Sequence, residues 1–157
     1  MFSRLRFLRA VLLFLLGYIV VAILAIALAM SVEAIMQPNH TGKMVLNPAY
    51  IFSQRLYPLL NLLIWIPMSW IYFKAPKGVS DLRSEAWTLG AFWLALALIV
   101  DLVGFVLIEN PISLSPYDFY VGQFPWIYLI YLAILLSPIL YVAKIASPRA
   151  IGQAVNP

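Results

Sequence analysis

Apolar positions run through this chain in four long blocks rather than in alternation. The blocks cover residues 10–32, 56–73, 86–108 and 125–143, and charged residues fall almost wholly between them. About 20 consecutive apolar residues cross about 30 Å of hydrocarbon as a helix. A backbone in lipid must satisfy its own hydrogen bonds, so each block predicts a helix. The reading is an all-α membrane fold, a four-transmembrane-helix bundle forming a single domain over residues 1–157. Outer loops are expected at 33–55 and 109–124, and a cytoplasmic loop at 74–85. The first block follows Arg4, Arg6 and Arg9 and ends near the small residues "ALAMS", as a secretory signal would. Its apolar run exceeds the roughly 7–15 residues of a signal core, so a retained helix is expected.

Local punctuation refines these boundaries. In "LNPAYIFSQRLYP", Asn47 is a candidate N-cap with Pro48 at the first helical position. A helix starting there runs into the second span and bends at Pro58. Pro67 and the Ser137–Pro138 pair lie inside spans two and four and predict kinks. Ser80 or Asp81 is expected to cap span three. The aromatic residues of "ENPISLSPYDFYVGQFPW" suit an interfacial belt. "NHT", residues 39–41, is a glycosylation sequon if the host is eukaryotic. No internal repeat is present, so the inverted-repeat signature of many transporters is missing.

Charge sets the orientation. Arg4, Arg6 and Arg9, then Lys74, Lys77 and Arg83, then Lys144 and Arg149 fall on one side of the predicted bundle; Lys43 and Arg55 fall on the other. Lysine and arginine favour the cytoplasmic side, so both termini are expected there, in a cell (inner) membrane. The excess of basic residues, giving a net charge of +4, is explained by this asymmetry and suits anionic lipid headgroups, not nucleic acid.

Composition narrows the chemistry. The chain is 64% hydrophobic and 10% charged, against about 25% charged in soluble domains. It has no cysteine and a single histidine, His40. Disulfides, thiolate metal sites, cysteine nucleophiles and an HExxH helix are excluded. There is no Gly-rich phosphate loop or haem ligand pair, and no serine has a histidine base nearby in sequence. No catalytic residue, cofactor or metal is therefore expected. The partners expected are the lipid bilayer and a membrane-protein partner or a second copy of the chain.

One residue breaks the pattern. Asp101 stands inside "WLALALIVDLVGF". On a helix its stripe reads Gly90, Leu94, Ala97, Asp101, Gly104 and Ile108, with small residues flanking the acid. Small residues let helices approach closely in membranes, so the acid is expected to face the bundle. Seven residues before Ile108, it lies about 10 Å below the outer end of the span. Span one carries a matching small stripe, Ala22, Ala25, Ala29 and Glu33. Arg55, Asn61, Tyr128 and Tyr131 are further candidate partners, so the expected polar network is Asp101, Arg55, Asn61, Glu33, Tyr128 and Tyr131. Three readings of Asp101 stay open: a packing pin, an outward-opening site for a ligand or cation, and a proton-transfer group.

The small multidrug transporters also combine four short helices with one intramembrane acid. This chain departs from them in length, in placing its acid in span three, and in a charge bias that fixes one orientation. Arg83, Glu85, Gly90, Trp93, Asp101 and Leu102, within "LRSEAWTLGAFWLALALIVDLVGFVLI", resemble the third span of small four-helix bacterial membrane proteins of unknown function. That resemblance implies an inner-membrane protein of Gram-positive or related bacterial type, and no activity. The expected function is a non-enzymatic ligand- or lipid-binding module, or an accessory subunit of a membrane complex. The alternative is an oligomeric cation- or proton-coupled transporter using Asp101.

Overall fold

The computed structural model describes residues 4–37, 47–74, 81–108 and 114–154, with side chains between Arg6 and Lys144. His40, the Asn39 sequon, Lys43, Lys77, Ser80 and Glu109 lie outside the described residues. The described chain is all-helical. Its elements are α1 (Arg4–Met36), α2 (Pro48–Lys74), α3 (Leu82–Asp101), a π-helical segment (Leu102–Leu107), α4 (Pro116–Tyr120) and α5 (Trp126–Ala154). Four of these are long and apolar enough to cross a membrane: α1, α2, α5, and α3 with its π-helical extension.

The termini of these helices follow from their residues. Asn47 accepts the Ala49 amide at 2.9 Å, and Pro48 begins α2, as the Asn-Pro pair predicts. Asp81 caps α3 by accepting from Arg83 N at 3.0 Å and Ser84 N at 3.2 Å. Each such cap contributes about 1 kcal/mol. α1 ends where Gln37 enters the left-handed region at φ 43°. α2 and α5 run unbroken through Pro58, Pro67 and Pro138. Ser137 donates to the Ala133 carbonyl at 2.6 Å on the turn that Pro138 disturbs.

The helices alternate in direction. α1 packs along α2, α2 along α5, and α5 along α3, while α1 and α3 meet more sparsely. α3 and α5 approach closely at Gly90, where an added Cβ would lie 2.3 Å from the Leu135 carbonyl oxygen. The core is an aromatic layer: Trp65 stacks on Phe14 with centroids 5.6 Å apart and meets Trp93 at 5.1 Å. Both indoles are fully buried. Each N–H is satisfied, Trp65 by Asn61 Oδ1 at 3.0 Å and Trp93 by the Ala10 carbonyl at 2.9 Å.

One end of the bundle gathers the start of α1, the end of α2 and the start of α3. Glu85 ties all three together. It pairs with Arg6 at 3.6 Å and accepts the Tyr72 hydroxyl at 2.6 Å. Arg9 donates to the Ile71 carbonyl, one of the last four carbonyls of α2 that lack a helical partner. We call this the basic end, and the opposite one the far end.

Candidate functional site

The site is built where α1 presents small side chains to the bundle. Near the basic end α1 buries Ala10, Leu13 and Phe14, but from Tyr18 to Ser31 none of its residues is buried. Its inward stripe over that stretch is Tyr18, Ala22, Ala25, Ala29 and Glu33, at steps of three and four. Alanine side chains are too short to fill the space before them. A cavity of about 340 Å³ opens there, floored by Asp101 and lined by Ala22, Ala25, Ala29, Glu33, Tyr50, Tyr57, Phe105 and Phe119, among others. A second cavity of about 140 Å³, lined by Tyr18, Asn61, Trp65 and Ile134, shares Ala22, Asp101 and Phe105 with the first. Asp101 therefore stands where the two spaces meet.

The carboxylate is held from two sides. Tyr18 of α1 donates its hydroxyl to Oδ1, and Tyr131 of α5 donates to Oδ2 at 2.8 Å. Asp101 is 8% exposed, and among the described residues it forms no ion pair. Both carboxyl oxygens act as acceptors. Such a group has about four acceptor positions, of which two are used. Asp101 itself lines both cavities.

The roof comes from the connection between α3 and α5. The helix does not stay α-helical past Asp101. Residues 102–107 form a π-helical segment closed by Ile108 N–H to the Val103 carbonyl at 3.0 Å. The wider turn rotates the chain out of the α-helical stripe expected from the sequence. Gly104 meets no neighbour within 4 Å of an added Cβ, while Phe105 points into the cavity. Short π segments inside helices often occur at functional sites. Leu114 N–H then binds the Phe105 carbonyl at 2.9 Å. α4 begins on Ser115, whose side chain accepts the Asp118 amide at 3.1 Å. Phe119 of α4 is buried and stacks on Phe105 with centroids 6.2 Å apart. Tyr120 packs edge-on against Phe119 at 5.0 Å. Its phenol is pushed above the ordinary value by burial, then by the charges of Asp101 and Tyr128.

The structure sorts the sequence-predicted network. Asp101 and Tyr131 are bonded, and Glu33 lines the mouth of the larger cavity. Asn61 borders the smaller cavity, but its polar atoms are used on α2: it donates to the Tyr57 carbonyl at 2.9 Å and accepts from Trp65. Arg55 is not in the network. It follows the buried Gln54 by one residue, a rotation of about 100°, and is exposed. Tyr128 is outside as well: 48% exposed, it packs against Phe124 at 5.9 Å while Ile127 and Tyr131 take the inner face. Tyr18 was not among the candidates, although it continues the span-one stripe four residues before Ala22. Gln123, buried in the wall, gave no sequence signal.

Among the described residues no group of three His, Cys, Asp or Glu side chains could hold a metal ion. No protein-family model matches the sequence, and neither a curated protein nor a solved structure shows significant similarity to it.

Proposed function

We propose that this chain is a non-enzymatic multi-pass protein of the inner membrane that binds a small amphiphilic ligand in the cavity above Asp101. It acts alone or as an accessory subunit of a membrane complex, with both termini cytoplasmic and the cavity toward the outer side. Three features support the placement in a membrane. Large apolar side chains such as Leu12, Ile19, Ile23, Leu63 and Leu132 are exposed on the helix surfaces. Basic residues gather at one end, as the positive-inside rule requires. The cavity is lined by residues away from that end, Glu33, Tyr50 and Gln123 among them.

The observation that carries the binding reading is the pairing of a mostly apolar cavity with a single polar triad at its floor. Small-molecule sites are commonly clefts of about 300–1,000 Å³ with apolar walls and a few placed polar groups. A volume of about 340 Å³ suits a single acyl or alkyl chain better than a whole two-chain lipid. The transporter alternative needs a route from Asp101 to the basic end. Phe14, Trp65 and Trp93 fill the bundle on that side of the acid, which favours a binding site closed at its base.

The test uses radiolabelled decanol, decanoate and decylamine, equilibrated with the full chain in phosphatidylcholine nanodiscs. At least one probe is expected to be retained in saturable excess over empty discs, at about one molecule per chain. Ala25→Trp, which fills the cavity, removes the excess. No excess for any probe, or an excess untouched by Ala25→Trp, contradicts the reading.

A further inference from the structure

We infer that the ligand of this cavity is a single-chain alkylammonium, its cationic head placed against Asp101 and its chain along the alanine stripe of α1. The inference rests on the cavity being a ligand site, and adds the charge of the occupant.

The argument begins with what Asp101 has and lacks. Its two tyrosine donors solvate the carboxylate and fix its direction, but tyrosine hydroxyls bring no positive charge. Ionisable groups within membrane spans normally pair with an opposite charge or face a water-filled space. Asp101 has no cation beside it among the described residues, and Arg55, the cationic partner expected from the sequence, is exposed elsewhere. The triad therefore presents an oriented carboxyl group, with no cation beside it among the described residues, at the floor of the larger cavity.

The walls are consistent with the same occupant. Tyr50, Tyr57, Phe105 and Phe119 line the space above the acid. Aromatic faces attract cations, ammonium groups above all. On α1 the wall from Ala22 through Ala25, Ile26 and Ala29 to Met30 is an apolar strip, as an alkyl chain needs. Among the described residues the lining holds no lysine or arginine to pair with an anionic head. A carboxylate or phosphate would instead meet the Asp101 carboxylate as a like charge.

A neutral alcohol has the same chain and a head that can donate to Asp101, but it gains no charge pairing. Buried charge pairs commonly add a coupling of tenfold or more to affinity. The ammonium should also compete with the Tyr18 hydroxyl for Oδ1. Tyr18 to Asp101 is a polar tie across the sparse α1–α3 seam.

The experiment compares the three probes on one protein. In phosphatidylcholine nanodiscs, decylamine is expected to bind about tenfold or more tightly than decanol, with decanoate weaker than both, each corrected for empty discs. Asp101→Asn should bring decylamine to within about threefold of decanol, both measured on that variant. Equal affinity of decylamine and decanol for the wild-type chain overturns the inference. So does tighter binding of decanoate, or a preference for the amine that persists in Asp101→Asn. These outcomes leave the cavity itself as a binding site, since decanol or decanoate would still be displaced by Ala25→Trp. If Asp101→Asn fails to fold, the wild-type comparison of amine against alcohol decides alone.

Discussion

At the scale of residues, the account turns on one carboxylate and two phenols. Tyr18→Phe or Tyr131→Phe leaves one buried acceptor of Asp101 without its donor, at about 1–3 kcal/mol. Each variant should lower the unfolding midpoint in detergent, and the double variant should lose less than the sum because the two hydroxyls share one carboxylate. Unchanged midpoints would show that the hydroxyls do not hold the acid. Asp101 and Tyr131 were legible in the sequence, because an acid in an apolar run must find donors, and a tyrosine on a neighbouring span can supply one. Tyr18 was legible in principle, as the next step of the Ala22, Ala25, Ala29, Glu33 stripe. Arg55 and Tyr128 misled for one reason: closeness along the chain and suitable chemistry do not fix rotation about a helix axis. One residue of offset turned Arg55 away.

At the scale of elements, small residues have two different roles. Gly90 permits contact, since its Cα approaches the Leu135 carbonyl too closely for any side chain. Gly90→Ala must therefore push α3 from α5, costing about 1–3 kcal/mol, whereas Gly104→Ala meets open space and should be near neutral. Thermal melting of the two variants in the same detergent checks this; equal effects would contradict the helix packing described. The alanines of α1 do the reverse. They leave volume, because their side chains are too short to fill the space before them. A stripe of small residues reads the same in both cases, so sequence alone announces close packing and misses the cavity. The π-helical segment was equally hidden. Nothing in "LVGFVL" separates it from an α-helix, and the return of the chain through Leu114 and α4 accompanies the wider turn. The caps Asn47 and Asp81 were visible because their chemistry is local.

At the scale of the whole molecule, the four apolar blocks were readable directly, since hydrocarbon thickness dictates their length. The proposed orientation rests on where the basic residues gather, and it can be measured because the chain contains no cysteine. Tyr117→Cys, on exposed α4, is expected to react with an impermeant maleimide in intact cells. Leu82→Cys, at the basic end, should react after permeabilisation alone. The opposite pattern would invert the proposed topology. The same cysteine-free background allows the most direct test of the central claim, that the cavity between α1 and Asp101 holds a ligand. A thiol placed at Ala29 lies in the cavity wall, whereas one placed at Ile23 lies on the exposed face of the same helix. Alkylation rates of the two single-cysteine chains are measured in nanodiscs with and without saturating decylamine. The account predicts that decylamine strongly slows labelling of Ala29→Cys and leaves Ile23→Cys unchanged; equal rates with and without the amine at Ala29→Cys would contradict it.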